Sequence, residues 1–496
     1  MIFEAQVHHE LRNLLRSHIS SRGWLHHLTV ARMTARAIRL RRSVTVQTAA
    51  IADRYCWSYL SPAILSQTPV RIVVPEPRRT HLRNVEIPFL CEQFGVTSQY
   101  LHWSDPLSWV GSRLAGDLLP GDDWTTIIDG AEDLADWAQT LLTRTLDAQA
   151  WSQQYETTPD QTAVLSNFRV QLAQHLWQRP NNPYNAYSLG PSMVEMLTQT
   201  LSQLAESPGG LAPSWQSFQT VWRRPDAMLW ATLNRTEGRF ELKVSPVSFA
   251  QNFKSLWQKQ PVVLMGSYLT GQQNASWRQQ FGLDERFLSL EFSCDRQNEV
   301  LTLYTPERIP LPNTPEFQPW LFAELIRLLA LALKQEVQPI VVLVGDLPLK
   351  NQVGAVLASY FGSQVKVERP LGDGSQIMVC DWAYWRKVQT QPPVPKVLVM
   401  ATLPFPSLEN PLVKERVSIY KAQRQDWFRR YLLPTALKTM QRAILPLRRA
   451  QGTVALLDSR VAQRSYGTAI FEALSPCDRI NYLDTHWFGS PRLPSP

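Results

Sequence analysis

The order of elements in the last hundred residues of the chain decides the fold. It reads VLVMATLPFP (397–406), NPLVKER (410–416), YLLPTALKTMQRAILPLRR (431–449), TVALLDSR (453–460) and Tyr466-Gly467. The first and fourth stretches contain short, continuous apolar runs, which predict strands buried on both faces. The third stretch is amphipathic and predicts a helix between those strands. A strand, a helix and a second strand in this order indicate an α/β arrangement.

The same pattern recurs along the rest of the chain. Short apolar runs separated by helical stretches occur at Ile72–Val74, Thr126–Ile128, Val262–Leu264, Ile340–Val344, Val397–Val399 and Val454–Leu457. Such an alternation predicts an α/β fold whose parallel sheets are covered by helices on both faces. The 496 residues are enough for two or three domains.

The closing segment resembles that of DinG/XPD-like superfamily 2 helicases. In that family an LPF motif precedes a helix with a Gln and arginines, and then a strand that ends in D.R....YG. The matching positions here are Leu403-Pro404-Phe405, Asn410-Pro411-Leu412, Gln441, Arg448, Asp458, Arg460 and Tyr466-Gly467. The resemblance implies two RecA-like parallel-sheet lobes with a mostly helical insertion in the first. The implied division is first lobe 1–135, insertion 136–245, first-lobe return and connection 246–315, and second lobe 316–496.

The resemblance also places the phosphate-binding loop of the family, at Ala50–Cys56, just before Tyr59–Ile64. Such a loop needs glycines for its backbone cradle, a lysine for the phosphates and a hydroxyl for Mg²⁺. This segment has no glycine, Tyr55 stands at the lysine position and Cys56 at the hydroxyl position, while Asp53 adds a negative charge. Arg54 is the one cation available there. We therefore expect the loop to be unable to cradle phosphates.

The other ATP motifs are altered as well. Ile127–Leu134 resembles the family's IDEAHNL element and keeps Asp129, the Mg²⁺ position, but has Gly130 for the catalytic Glu and Glu132 for the His. An acidic turn that caps a helix is an alternative interpretation of this segment. At the end of the resemblance, Ile444-Leu445 replaces the Gly-Arg that supplies the arginine finger, and Pro446 predicts a locally different backbone.

Four residues remain as candidate relics of the nucleotide site: Arg54, Asp129, Gln441 and Arg448. An ordinary surface arginine is the alternative for Arg448. Two segments that couple ATP to nucleic acid in the family are altered too. Leu264–Leu269 resembles LTSATL but is expected to lack the linking hydroxyls, and Tyr384–Gln389 resembles FWEGVD with basic residues in place of its acids. No catalytic residue is predicted.

Cofactors, metals and membranes find little support in the sequence. Its five cysteines are scattered, without the thiolate cluster of an iron–sulfur centre and without a zinc-ligand spacing. We expect no cofactor, with ATP and Mg²⁺ bound only if the chain is an active helicase. The longest apolar stretch, 320–333, is too short to span a membrane and contains charges, and the N-terminus lacks a secretory signal. A cytoplasmic protein is predicted.

The positive charge is concentrated in two regions. The chain has net charge +8, whereas residues 380–496 carry 17 Lys/Arg and 8 Asp/Glu, or +9, and residues 1–60 carry 9 and 3, or +6. One predicted basic stripe consists of Arg32, Arg36, Arg39 and Arg42. A second cluster consists of Lys414, Arg416, Lys421, Arg424, Arg429 and Arg430, interleaved with Tyr420, Trp427 and Phe428.

Cations beside aromatic rings are typical of sequence-tolerant single-strand binding. The predicted nucleic-acid contacts are Arg424, Trp427, Arg429 and Arg430, although a solvated face with inward-packed rings has the same sequence pattern. Three hypotheses follow: a helicase-family protein that binds nucleic acid without hydrolysing ATP, an active ATP-dependent DNA helicase, and a scaffold for protein partners without nucleic acid. The first is favoured because three ATP-site positions are altered.

Overall fold

A computed structural model describes residues 2–18, 26–50, 52–76, 78–115, 123–269, 275–296, 298–372 and 374–483, apart from the side chains of residues 52, 53, 275 and 276. The strands, in chain order, are β1 (Val44–Gln47), β2 (Val70–Val73), β3 (Leu101–Ser104), β4 (Thr125–Asp129), β5 (Arg144–Leu146), β6 (Ala186–Tyr187), β7 (Ala227–Asn234), β8 (Arg239–Pro246), β9 (Val262–Gly266), β10 (Leu288–Glu291), β11 (Leu301–Tyr304), β12 (Ile340–Leu343), β13 (Val365–Val367), β14 (Ile377–Cys380), β15 (Val397–Met400), β16 (Thr453–Leu456) and β17 (Cys477–Ile480).

The helices are α1 (Phe3–His18), α2 (His27–Leu40), α3 (Cys56–Leu65), α4 (Arg78–His81), α5 (Ile87–Phe94), α6 (Pro106–Ala115), α7 (Leu134–Leu142), α8 (Ala148–Thr157), α9 (Thr162–Trp177), α10 (Pro191–Glu206), α11 (Pro213–Trp222), α12 (Ala250–Lys259), α13 (Ala275–Phe281), α14 (Phe317–Lys334), α15 (Leu347–Phe361), α16 (Trp382–Val388), α17 (Pro411–Ala422), α18 (Leu433–Arg449), α19 (Arg460–Gln463) and α20 (Gly467–Leu474). Short 3-10 turns occupy Ala52–Tyr55 and Ala131–Asp133, and π-helical turns occupy Leu82–Glu86 and Phe428–Leu432.

Two parallel sheets form the two lobes. The first has the strand order β10-β1-β9-β4-β2-β3, and the second has the order β13-β14-β12-β15-β16-β11-β17. All six apolar runs of the sequence lie in these sheets, so the predicted α/β fold with two parallel-sheet lobes is confirmed. The alternation of side chains explains why the runs are continuously apolar. Ile127 and Val263 point into one core of the first lobe, while Ile128 and Leu264 point into the core on the opposite face.

The second sheet includes β11, a strand that lies earlier in the sequence than the predicted second lobe. It lies between β16 and β17 and pairs in parallel with both. The sequence division assigns residues 246–315 to the first lobe and its connection. In the structure, the first strand of the second sheet along the chain, β11, already begins at Leu301. Residues 292–300 therefore form the segment that connects the two sheets.

The insertion at 136–245 contains a sheet as well as helices. Four helices, α8 to α11, pack on one face of an antiparallel sheet of order β5-β8-β7-β6, in which β7 and β8 form a hairpin. Apolar residues of these helices and strands form a core of their own. The second lobe reaches this sheet through α17, where Leu412, Ile419 and Tyr420 pack near Trp230.

No helix within the described ranges is long and apolar enough to cross a membrane. The apolar stretch at 320–333 lies in α14, whose Leu321, Leu325 and Leu328 are buried in the second-lobe core.

Candidate functional site

The segment that follows β1 occupies the position of the phosphate loop. Tyr55 is 3% exposed, and its ring centroid lies 4.7 Å from that of the buried His27. Burial raises the pKa of Tyr55 to about 12, so its hydroxyl stays protonated. The side chain of Asp53, which the sequence suggested as a nearby negative charge, lies outside the described residues. An aromatic ring thus stands where the family resemblance places a lysine.

Arg54 is already paired. Its guanidinium donates to the buried carboxylate of Glu299, in the segment that connects the two sheets. The other oxygen of this carboxylate accepts the backbone N–H of Asp295 at 2.8 Å. The one cation of the loop therefore has an internal counter-charge.

The carboxylate of Asp129, at the end of β4, is enclosed by protein groups. It is 5% exposed, and its Oδ2 accepts the Tyr59 hydroxyl at 2.6 Å and lies 2.8 Å from Nη2 of Arg78. Burial raises the pKa of Tyr59 well above its ordinary value, and the Asp129 charge adds to that effect. A guanidinium thus balances the carboxylate that the family resemblance assigns to Mg²⁺.

Glu132 links the segments after β4 and β9. Its buried carboxylate accepts the Ser267 hydroxyl at 2.9 Å and the Ser267 backbone N–H at 3.3 Å. Ser267 stands at the alanine position of LTSATL and joins these two segments, and the expectation about the family's linking hydroxyls stays a prediction. Gly266 makes this approach possible: a Cβ there would lie 2.4 Å from Oε2 of Glu132.

An apolar cluster joins the two lobes across the cleft. It consists of Ala49, Tyr268, Cys294 and Leu445, each less than 8% exposed. The Tyr268 hydroxyl lies 3.4 Å from Sγ of Cys294, which in turn lies 3.4 Å from the carbonyl oxygen of Ala49. Leu445, which stands at the arginine-finger position of the resemblance, thus makes an apolar contact between the lobes.

The helix that carries Leu445 is continuous. α18 extends from Leu433 to Arg449 and includes the buried Pro446, so the predicted disruption of the backbone at this proline is wrong. The helix continues through Pro446, which lacks the backbone N–H that would donate to the carbonyl of residue 442.

The two relics on α18 have different surroundings. Gln441 is half-buried, and its side-chain oxygen has no hydrogen-bond partner among the described residues. Arg448 is 2% exposed and donates to four backbone carbonyls, those of Glu299, Leu474, Ser475 and Pro476, at 2.9 to 3.1 Å. The alternative of a surface arginine is therefore wrong. Its guanidinium instead holds the end of α20 and the connecting segment together.

Ion pairs and hydrogen bonds fasten α18 to the first lobe. Arg442 Nη1 lies 2.6 Å from Oδ1 of Asp133, and Lys438 donates to the carbonyl oxygen of Glu132. Burial raises the pKa of Asp133, but the charge and hydrogen bond of Arg442, together with the charges of Lys438 and Arg386, outweigh it, so the net shift is downward and the pair is ionised. Nearby, Arg386 of α16 pairs with the exposed Asp136 at 2.8 Å.

A cavity of about 530 Å³ lies beside these ion pairs, between both lobes and the insertion. Its lining combines aromatic rings with charged groups: Asp136, Trp277, Trp382, Trp385, Arg416 and Tyr431. Arg416 is held in place, because its guanidinium lies over the Tyr431 ring at 4.9 Å and donates to Gln139 Oε1 at 3.0 Å.

The basic face is formed by α17 and the residues that follow it. Five of the six predicted cations are exposed, namely Lys414, Lys421, Arg424, Arg429 and Arg430, while Arg416 is half-buried in the cavity. Arg424 follows the end of α17 with φ of 54°, and Arg429 approaches Asp426 at 3.7 Å. These five cations are the described residues that remain available to a polyanion on this face.

Trp427 is only half-exposed. Its ring packs against a small apolar cluster that includes Val413, Val417 and Leu432, and Nζ of Lys421 lies 5.3 Å from the ring centroid. The three predicted arginines are exposed, with Arg430 also lining the cavity, and the tryptophan is partly buried.

Comparison with known proteins supports the helicase resemblance. A family model described as the helicase C-terminal domain matches residues 393–477. The ATP-dependent DNA helicase YoaA of Escherichia coli (strain K12) is 27% identical over 109 residues, which are 21% of this chain and 17% of that protein. YoaA of Haemophilus influenzae is 24% identical over 138 residues, which are 27% and 22% of the two chains.

The fold is shared with solved structures of XPD. The structures titled XPD_APO and S. tokodaii Xpd4 are each 13% identical, with TM-scores of 0.54 and 0.56. They cover 91% and 92% of this chain and 100% and 99% of their own. Residues 393–477 are therefore similar to the helicase C-terminal domain, and the chain shares the fold of the XPD structures.

The helicase C-terminal family model matches one region of the chain, residues 393–477. The chain spans about a fifth of the length of the YoaA proteins, 17% and 22%. The matched residues 393–477 include α17, the basic face and α18. The first-lobe residues of the cleft, such as Tyr55, Asp129 and Glu132, lie earlier in the sequence than the matched residues.

Arg78 and Ser267 are the functional neighbours that the sequence alone did not indicate. A signal existed for Arg78: it follows β2, which pairs with β4, and the carboxyl ends of parallel strands meet at one edge of a sheet.

Five free cysteines occur in the described residues. No cluster of three or more potential metal ligands occurs in that part of the chain either.

Proposed function

We propose that this DinG/XPD-like protein binds single-stranded nucleic acid through its basic face and does not hydrolyse ATP. The observation that carries the proposal is the neutralisation of Asp129 by Arg78 and Tyr59 inside the cleft. A Mg²⁺ ion at this carboxylate would have to displace a charge-assisted hydrogen bond, which is among the stronger contacts in a protein.

Two further features support the loss of hydrolysis. Leu445 packs in the apolar cluster where the resemblance places an arginine finger, a group worth roughly 10³ to 10⁵ in kcat. Tyr55 replaces the lysine, and Gly130 the water-positioning glutamate, so neither can act on a phosphate. These losses act on the same transition state, and one retained aspartate does not replace them.

The nucleic-acid part of the proposal rests on five exposed cations beside a half-exposed tryptophan. Each phosphate contacted on a single strand contributes about 0.7 to the slope of log affinity against log salt, so five contacts predict a slope of about −3.5. A reducing, cytoplasmic location is part of the proposal, since five free cysteines suit that compartment.

The test measures hydrolysis and binding on the same preparation of the full chain. Phosphate release is followed with and without single-stranded DNA, beside the Asp129→Ala variant as the matched control. We expect equal, background turnover from both proteins. Hydrolysis that single-stranded DNA stimulates and that Asp129→Ala abolishes would show an active helicase instead.

Binding is measured by fluorescence anisotropy of a labelled single strand against salt concentration. The parent is compared with Arg424→Gln/Arg429→Gln/Arg430→Gln, which should lower the steepness of the salt dependence by about 2. A folded parent that binds no single strand at low salt would contradict the nucleic-acid role and favour a scaffold for acidic protein partners.

A further inference from the structure

The N-terminal helical hairpin, α1 and α2, carries an outward surface that the proposed function does not use. Its inward face is part of the first-lobe core, where Val7, Leu11, Val30 and Ala35 are fully buried. Arg39 of α2 adds a bidentate contact to Glu4 of α1, with distances of 2.7 and 3.0 Å. The hairpin is therefore fixed on the first sheet and presents a defined outer face.

Four exposed arginines lie on that outer face, which we call the hairpin arginine face: Arg12 and Arg16 on α1, and Arg32 and Arg36 on α2. The members of each pair are four residues apart, which places them about 6 Å apart along the helix axis. Burial lowers the pKa of His8 on α1, and the charges of Arg32 and Arg12 lower it further.

The positive charge of this face is only partly compensated, because Glu4, whose pKa the charges of Arg39 and Arg36 lower, is paired with Arg39. Together the two helices carry five arginines and two glutamates, for a net charge of +3. Glu4 is engaged by Arg39, and the ion pairs of the described hairpin and the turn after it involve Arg39 and Arg41, not the four arginines of the face. These four guanidiniums are thus available to an external anion.

We propose that the hairpin arginine face binds the phosphate backbone of double-stranded nucleic acid. Guanidinium groups match phosphate geometry, and regularly spaced cations on a rigid helix pair suit a repeating anion. Phe3 is the one Phe, Tyr or Trp residue of α1 and α2, and it packs against the first-lobe core. The face therefore lacks the stacking platform that single strands use, and contacts to the backbone alone suit a duplex.

The dimensions fit a short duplex segment. α1 has 16 residues, and a helix of this size spans about 24 Å, or roughly seven base pairs at 3.4 Å each. This site is separate from the basic face at 414–430 and does not depend on single-strand binding there. A substrate with both single- and double-stranded parts would contact the two surfaces with different parts.

The test compares two variants with the same loss of charge. Arg12→Gln/Arg32→Gln/Arg36→Gln removes three charges from the hairpin arginine face. Arg223→Gln/Arg369→Gln/Arg464→Gln removes three exposed arginines from separate parts of the surface. The probes are a labelled blunt DNA duplex of about 20 base pairs, longer than the face, and a single strand of the same length. Binding is measured by anisotropy at several salt concentrations.

We expect the hairpin variant to bind the duplex at least tenfold more weakly than the parent at low salt. Its salt dependence should be less steep by about 2.7, because each duplex phosphate contact contributes about 0.9. The dispersed control should retain the parent's duplex affinity within about twofold and its salt slope, and single-strand binding should be equal for the hairpin variant and this control.

Equal loss of duplex binding in both variants would overturn the proposal, because it would show an effect of total charge. A folded parent that does not bind duplex at low salt would overturn it as well. Arg32→Gln/Arg36→Gln leaves α1 unchanged and should lower the slope by about 1.8, which provides a second test if the triple variant is unstable. If the parent protein binds duplex but no single strand, the proposed single-strand function is contradicted and the proposal of duplex binding by the hairpin arginine face is not affected.

Discussion

Replacing Arg448 by methionine distinguishes a structural role of this arginine from a nucleotide-site role. Methionine retains an apolar stem of similar length but removes all four hydrogen bonds of the guanidinium. The carbonyls of Glu299 and Leu474 lie in fully buried bonds, whereas those of Ser475 and Pro476 are partly buried and can bond to water instead. We therefore expect the variant to be less stable even without any nucleotide.

The magnitude follows from the two buried carbonyls. Each buried acceptor that loses its partner costs about 1 to 3 kcal/mol, so two cost roughly 2 to 6 kcal/mol in free energy of unfolding. For a lobe of this size, each kcal/mol lowers Tm by about 2 to 4 °C. A fall in Tm of at least about 4 °C is expected for the transition that includes the second lobe.

The assay is thermal unfolding of the ligand-free protein, with Arg449→Met as the matched control. Arg449 is the exposed neighbour on the same helix, and a surface change of this kind is usually within about 0.5 kcal/mol. Hydrogen exchange gives a local measurement, because the carbonyl of Pro476 also accepts the backbone N–H of Leu301. Exchange in Leu301–Tyr304 should be faster in the variant. Equal Tm values and equal exchange for the two variants would refute a structural role.

Three further predictions concern other parts of the cleft and the basic face. Burial lowers the pKa of His27 to about 4. The neutral His27 contributes fully to the free energy of unfolding above pH 6.5, and up to about 3 kcal/mol of this contribution is lost as the pH falls towards 4. The variant His27→Asn should therefore show a flatter dependence of Tm on pH in that range. In a double-mutant cycle of Arg442→Met and Asp133→Asn, the coupling energy from thermal unfolding should be about 0.5 to 3 kcal/mol, and a value near zero would mean that this pair does not fasten the lobes. Trp427→Ala should lower Tm, because the ring packs inward, and leave the salt slope of single-strand binding unchanged; Trp427→Phe is the control, and a lower affinity by about 1 to 3 kcal/mol without loss of stability would instead indicate base stacking.

The fold was largely predictable because each buried strand of a parallel sheet is apolar on both sides. Strands such as Val397–Met400 therefore stand out as continuous apolar runs. Leu301–Tyr304 did not, since threonine interrupts its short sequence, and its position in the second sheet depends on pairing with residues more than 150 positions away. The antiparallel sheet of the insertion lacked a signal for a similar reason, since its strands include charged residues such as Lys243 and Arg239.

The sequence predicted which ATP-site residues of the family are missing from the candidate site. It did not predict which contacts the residues at those positions make instead. The sequence shows directly that Tyr55 and Leu445 stand at the lysine and arginine positions of the family. It does not show that Arg448 turns towards carbonyls about 26 residues along the chain, since helical spacing fixes the direction of a side chain and not its partner. Pro446 was misleading, because a proline removes one backbone hydrogen bond of a helix and the packing of the other residues can still keep the helix continuous.

The charges of the cleft are balanced by the protein itself. The family resemblance implies that Asp129 would bind a metal ion and that the cation of the loop, Arg54, would contact a phosphate. Here Arg78 neutralises the aspartate, and Glu299 neutralises Arg54. An incoming nucleotide with its Mg²⁺ would have to separate both buried pairs, and a buried pair that loses one partner costs several kcal/mol. Leu445 adds an apolar contact that closes the lobes without a ligand. These contacts support the proposal that the chain does not hydrolyse ATP, and the basic surfaces are the candidate binding surfaces that remain exposed.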